Sequence, residues 1–266
     1  MNTGKKIRMS SIFRKTTGKT VIVAADHGGI AGPIPGIVDP AGLLDTCVQA
    51  CADSVLTTRG FARAAEDVWD RRTSLILRLT GGFTVSGGKF EEEVISSVEA
   101  ALLYGACGAA VTVKFGHKRE GEFIRQASLI ADECERWGLP LMIEAMAVNG
   151  DSGETDPDGI KLAARAAAEI GADIVKTRYT GDPGTFAGVI EGCPVPVVIM
   201  GGEKKADREA LFTDVFDAVK AGAKGIAIGR NIWQQDEVMG IIEAMTGIVH
   251  DAWPVSRAIK HIEEKG

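Results

Sequence analysis

Two hydrophobic rhythms alternate along the chain. Short runs of consecutive apolar, often β-branched residues stand near 20–25, 54–57, 74–79, 109–114, 141–146, 173–177, 196–200 and 225–228, each closed by a polar or glycine-rich break. Runs this short and continuous predict strands covered on both faces. Between them, apolar positions recur at helical spacing near 40–51, 60–71, 90–104, 120–137, 158–170, 184–192, 206–221 and 236–249. A parallel sheet wrapped by helices follows, and eight repeats of the unit imply closure into a (β/α)8 TIM barrel rather than an open sheet. A further helix near residues 5–15 precedes the first strand. Another, from Pro254 to Lys265, follows the last helix and is expected to close the barrel floor or to meet a partner subunit. Gly171 and Gly222 stand where C-terminal caps would feed the next strand.

Composition narrows the setting. With 266 residues the chain fits one barrel, so residues 1–266 are expected to form a single domain. A net charge of −6 and a pI near 5.4 argue against a nucleic-acid partner while leaving room for a local cationic pocket. No run of about 18 apolar residues offers a membrane span. Basic Met1 to Arg8 is not followed by an apolar segment, which argues against a secretory signal. The five cysteines, Cys47, Cys51, Cys107, Cys134 and Cys193, form no C-x-x-C pair and fit a reduced, cytoplasmic setting.

Candidate chemistry lies at the C-terminal strand ends, where barrel active sites are built. Lys176 interrupts the apolar run Ala172–Thr177. Burial opposes the charged form of an amine, and a neutral amine is the nucleophile that attacks a ketone, although a neighbouring carboxylate would instead hold the lysine as an ion pair. Asp26 and His27 end the first strand, Lys114 the fourth, with His117 just beyond it. Asp26 either moves protons or caps its loop and pairs with Lys176, His27 reads best as a loop hydrogen-bonder, and Lys114 and His117 as solvated or loop-pairing groups. Gly201-Gly202 after the seventh strand and Gly229-Arg230 after the eighth form the pattern of a phosphate site, in which backbone N–H groups and helix starts approach an anion and Arg230 or Lys204 adds a charge. The acidic stretch Asp151–Asp156 raises calcium, but its spacing departs from an EF-hand loop and a solvated loop is the better reading.

Asp26-His27-Gly28, Asp173-Ile174-Val175-Lys176-Thr177, Thr180-Gly181-Asp182-Pro183, Cys193 to Val198 with Gly201-Gly202, and Gly229-Arg230-Asn231-Ile232-Trp233-Gln234 occur in an order that resembles the archaeal-type class I aldolases. This family includes fructose-bisphosphate aldolase, 2-amino-3,7-dideoxy-D-threo-hept-6-ulosonate synthase and the LsrF thiolase. The resemblance implies that Lys176 forms a Schiff base, that Asp26 transfers protons, that the last two loops bind a substrate phosphate, and that the chain is a homo-oligomer, often a decamer in this family. It implies no cofactor and no metal; coenzyme A enters as co-substrate only under an LsrF-like reading. Where family aldolases carry a tyrosine on the fifth strand this chain has Met146, two residues after Glu144. Strand alternation puts both on one face, so Glu144 is expected to reach Lys176, either as the replacement proton carrier or as an ion-pair partner without catalytic use. Metal-assisted cleavage through Asp26, His27 and Glu144, and a barrel that only binds a phosphorylated metabolite, are the remaining alternatives.

Overall fold

The computed structural model describes residues 2–87, 91–148, 156–205 and 207–265. Eight parallel strands close a barrel: β1 (Thr20–Ala24), β2 (Ser54–Thr57), β3 (Ser74–Arg78), β4 (Gly108–Phe115), β5 (Leu141–Ala147), β6 (Ile174–Arg178), β7 (Val197–Met200) and β8 (Gly225–Ile228). Their order around the barrel follows the sequence, with β8 pairing β1. Among the described residues no helix is long and apolar enough to cross a membrane.

Two-residue alternation sorts every strand into a side facing the helices and a side facing the lumen. Ile22, Leu56, Ile76, Ala110, Met142, Ile174, Val198 and Ala227 fill the lumen as one apolar layer, and Ile12 and Phe13 of the N-terminal segment pack beneath it. The floor is therefore plugged by the first helix, Thr3–Ile12, not by the C-terminal tail. The tail helix, Val255–Glu263, lies outside, against helices Val238–Asp251 and Arg208–Lys220. Its strongly amphipathic sequence buries Ala258 and Ile262 there, which leaves it no face for the floor.

The expected helix over 90–104 is shorter than its periodicity suggests. Helix Val98–Leu103 starts at Ser97, whose hydroxyl accepts from the Ala100 N–H at 3.1 Å. Ahead of it Glu93–Val94 pairs antiparallel with Thr80–Gly81. The β-branched pair Val94-Ile95 favours this extended course, and Arg119 secures it from the flank by gripping Glu91 at 2.9 Å and Glu93 at 2.6 Å. The helix expected over 60–71 also splits, into Arg59–Ala64 and a single turn at Glu66–Val68. Gly171 and Gly222 take positive φ values of 116° and 117°, as their capping role requires.

Candidate active site

Moving one alternation step up from the apolar layer turns the lumen polar. Ile76, Ala110, Met142 and Ile174 are succeeded, two residues on, by Arg78, Thr112, Glu144 and Lys176. Parity alone thus turns Lys176 inward, and the β5–β6 register sets it directly beside Glu144. The Lys176 amine lies 2.6 Å from Glu144 Oε1, with its side chain 6% exposed. The lysine is an ion-pair partner in this resting arrangement rather than a solitary amine in an apolar pocket.

Glu144 leads to a residue that the sequence reading passed over. Its Oε2 accepts from Arg78 Nη1 at 2.9 Å and from the Thr112 hydroxyl at 2.6 Å. Arg78 Nη1 also donates to Asp26 Oδ2 at 2.9 Å, Nη2 to Glu92 Oε1 at 3.1 Å and to Thr112 Oγ1, and Nε to the Thr80 carbonyl at 3.2 Å. All five guanidinium N–H donors are used. Asp26 therefore pairs with Arg78, while His27 Nδ1 stands 3.2 Å from its other oxygen. That His27 nitrogen is buried without an aligned hydrogen bond, and its ring meets Trp233 edge-on at 5.4 Å.

These contacts push the carboxyl groups apart. Burial alone would raise Glu144, but the Lys176 and Arg78 charges overcome it and bring its pKa down to about 2. Burial is likewise overcome at Asp26 by His27, Arg78 and Lys176, which hold it well below the usual carboxylate range. At Glu92 burial prevails over the Arg78 charge and the pKa is raised. Arg78 stays charged: its burial is more than offset by Glu144, Asp26 and Glu92.

Above this network opens a cavity of about 950 Å³ at the C-terminal strand ends. Lys114, His117, Lys118, Arg178, Lys204, Lys205 and Arg230 line it, and among the described residues Glu91 and Glu203 are the acidic groups in its wall. Both Lys114 and His117 stand in the cavity wall, and His117 also pairs within its loop as expected, its Nδ1 accepting from the Arg119 N–H at 3.1 Å. Lys114 is buried, its amine 5.4 Å from the Phe83 ring centre, and burial lowers its pKa despite Glu92. Arg178, two residues beyond Lys176 on the lumen side, has its pKa lowered first by burial and then by the like charge of Arg230. Both guanidinium groups line the cavity, an arrangement chemically suited to an anion.

Gly201 and Gly202 stand in the same cavity wall. A Cβ at Gly201 would meet Ile228 at 2.7 Å, and Gly202, at φ 66°, would bring one to 3.2 Å from Arg178. Arg230 Nε is buried without a partner among the described residues. Asn231 pins the loop by donating to the Gly201 and Glu203 carbonyls at 2.9 and 2.8 Å. Lys204 donates to the Gln234 carbonyl at 2.6 Å from the same wall. Gly229 differs from expectation: it packs under β1, where a Cβ would meet the Ala24 carbonyl at 2.5 Å, and it does not line the cavity. Helix starts contribute little, since the helix after β8 is one turn, Arg230–Trp233, and the next after β7 begins only at Arg208. Arginine side chains supply the charge instead.

Met146 stands half-buried in the cavity wall between Lys114 and the β6 side. Of the acidic stretch that raised calcium, Asp151–Thr155 lie outside the described residues, and Asp156 caps helix Pro157–Ile170. Among the described residues no three His, Cys, Asp or Glu side chains converge as metal ligands.

Residues 20–235 match the DeoC/LacD family aldolases. The chain belongs to the DeoC/LacD aldolase family. It is 34% identical to 2-amino-3,7-dideoxy-D-threo-hept-6-ulosonate synthase 1 of Archaeoglobus fulgidus, covering 93% of this chain and 91% of that one. To the 3-hydroxy-5-phosphonooxypentane-2,4-dione thiolase of Escherichia coli K12 it is also 34% identical, covering 98% and 88%. An archaeal fructose 1,6-bisphosphate aldolase superposes with a TM-score of 0.85 at 33% identity, over 93% of this chain and 99% of that one. A Schiff-base-forming fructose-1,6-bisphosphate aldolase gives 0.84 at 34%, over 92% and 99%. The (β/α)8 barrel of this aldolase-family chain is thus the one its sequence led us to expect. Within it, Arg78 and Glu144 make an ionic layer beneath the cavity, with Met146 in the wall above Glu144.

Proposed function

We propose that this DeoC/LacD family aldolase is a class I enzyme that makes or breaks a carbon–carbon bond in a phosphorylated ketose or dihydroxyacetone-phosphate-like substrate. The observation that carries the reading is a lumen-facing lysine, paired with a carboxylate, below a cavity whose far wall is an arginine-rich anion seat. Glu144 takes a proton from the Lys176 ammonium across their 2.6 Å contact, freeing the amine to attack the carbonyl carbon. That proton passes to the carbonyl oxygen as the bond forms, and Glu144, with Arg78 now its one cationic partner beside a neutral carbinolamine nitrogen, takes the nitrogen's surplus proton and gives it to the departing hydroxyl. Loss of water gives an iminium, which accepts the electron pair of the broken bond. Asp26, across the same guanidinium, is the second proton-transfer group. Arg178, Arg230, Gly201 and Gly202 hold the phosphate, with Lys204 at the rim. No metal or organic cofactor is needed, because the iminium withdraws the electrons.

A second reading, acyl transfer from a phosphorylated diketone to coenzyme A, is favoured by Met146, which has no proton to transfer, and by the 34% identity to the thiolase. Cleavage of fructose 1,6-bisphosphate that survives a chelator and ignores coenzyme A supports the aldolase reading. Turnover of a phosphorylated diketone only when coenzyme A is added replaces it with the thiolase one. The five free cysteines suit a reduced, cytoplasmic setting. Assembly into a homo-oligomer follows from the family resemblance, and light scattering tests it: a single-chain mass would refute assembly.

A further inference from the structure

The mechanism above uses Lys176, its carboxylates and the wall of Arg178 and Arg230, and it gives the opposite side of the cavity no role. With eight strands in sequence order around the barrel, β4 stands across from β8. Lys114 lies near the end of β4, and His117 and Lys118 follow in the loop beyond it, all three in the cavity wall. Basic side chains grouped in this way would receive a second anion at the far end of a substrate. Glu91 stands among them, whereas Glu203, the other acidic wall residue, follows β7. The Glu91 carboxylate lies 2.9 Å from Arg119 and 3.9 Å from Lys118, with its side chain 29% exposed.

Three carboxylates share Arg119, and Glu91 is the one that lines the cavity. Glu93 and Glu122 each meet the same guanidinium at 2.6 Å from outside the wall. The extended segment keeps its anchor without Glu91: Glu93–Val94 pairs with Thr80–Gly81, and Glu93 accepts from Gln126 at 3.2 Å. A carboxylate that the anchor can spare acts on whatever enters the cavity. It brings a negative charge to a stretch of wall that carries Lys114, His117 and Lys118, and it already engages Lys118.

We propose that Glu91 is a specificity-determining residue that sets the charge tolerated at the far end of the substrate and disfavours a second phosphate there. With the ketose phosphate on the Arg178 and Arg230 side, the far end of an extended substrate points toward β4. A phosphate arriving there meets the Glu91 carboxylate as a like charge and competes with it for Lys118. An uncharged far end meets neither cost. Glu91 thus shifts preference from a bisphosphate toward the same substrate phosphorylated at one end. The inference rests on the phosphate reading of the Arg178 and Arg230 wall, but not on the Schiff base.

Fructose 1-phosphate and fructose 1,6-bisphosphate share a carbon skeleton and differ in the far phosphate. Their kcat/KM values, and their Kd values by calorimetry, are compared in wild type, Glu91→Gln, Glu91→Asp and Glu93→Gln. Glu91→Gln keeps the size and removes the charge, so the bisphosphate should gain about tenfold relative to the monophosphate. Glu91→Asp keeps the charge and should stay near the wild-type ratio. Glu93→Gln takes a carboxylate from the same arginine outside the cavity and should also leave the ratio unchanged. A wild-type ratio in Glu91→Gln, or no bisphosphate gain by either measure, overturns the proposal. An equal rise in Glu93→Gln overturns it too, by tracing the effect to the Arg119 anchor and not to charge in the wall. Should neither ketose be turned over while the Kd ratio moves as stated, the carbon–carbon bond reading fails and the role of Glu91 stands. If Glu91→Gln does not fold, Glu91→Ala takes its place under the same criteria.

Discussion

In the ionic network below the cavity each charged side chain is met by another. Lys176 has Glu144, Glu144 has Arg78, and Arg78 holds Asp26 and Glu92. Removing one member leaves the rest buried and unbalanced, so substitutions should be costly and unequal. Glu144→Gln keeps the shape and loses the base; turnover should fall by about a hundredfold or more, measured as kcat, while Lys176 remains trappable. Intact turnover in that variant would reduce the contact to a structural ion pair. Arg230→Met empties half of the anion seat and should raise KM for a phosphorylated ketose about tenfold or more, with little change for its dephosphorylated counterpart. Equal effects on both substrates would remove the phosphate from this wall.

Elements decide how much of this the chain reveals beforehand. Strand parity placed Lys176 and Glu144 inward, because Ile174 and Met142 two residues earlier are lumen residues. Arg78 carries the same signal, a charge ending the apolar run Ser74–Leu77, and Arg178 repeats it two residues after Lys176. Both were legible by that rule. Glu92 was not, since its helical spacing is overridden by Ser97 capping, by pairing with Thr80–Gly81 and by the Arg119 grip. Gly229 was legible only as a turn, because whether a glycine faces ligand or a neighbouring strand depends on the β1–β8 closure. The floor offers a test at this scale. His250, its side chain 1% exposed, bridges Thr17 Oγ1 at 2.8 Å and Asp53 Oδ2 at 2.9 Å, tying the chain start to helix Val238–Asp251. His250→Ala strands buried Asp53 on one side and should lower unfolding free energy by about 2 kcal/mol in a denaturant titration, leaving kcat unchanged. A shift in kcat instead would mean that the floor and the site are coupled.

For the molecule as a whole, a net charge of −6 coexists with a cationic cavity, so a phosphorylated substrate meets a favourable field only at the mouth. The ionised network also links stability to acid. Glu144 has a folded pKa of about 2, below its ordinary 4.5, so its contribution is present above the unfolded value and is lost as pH falls from there toward the folded one. Asp26 acts in the same direction. Thermal melts should therefore show a Tm that drops steeply as pH falls through that window, less steeply in Glu144→Gln; parallel curves would mean that the pair adds no pH-linked stability. All of these expectations converge on one bond. After borohydride reduction with dihydroxyacetone phosphate, peptide mass analysis should find the added mass on the Lys176 peptide alone, and none in Lys176→Met. Unmodified protein for every phosphorylated ketone tried, or label on a different lysine, would contradict the account.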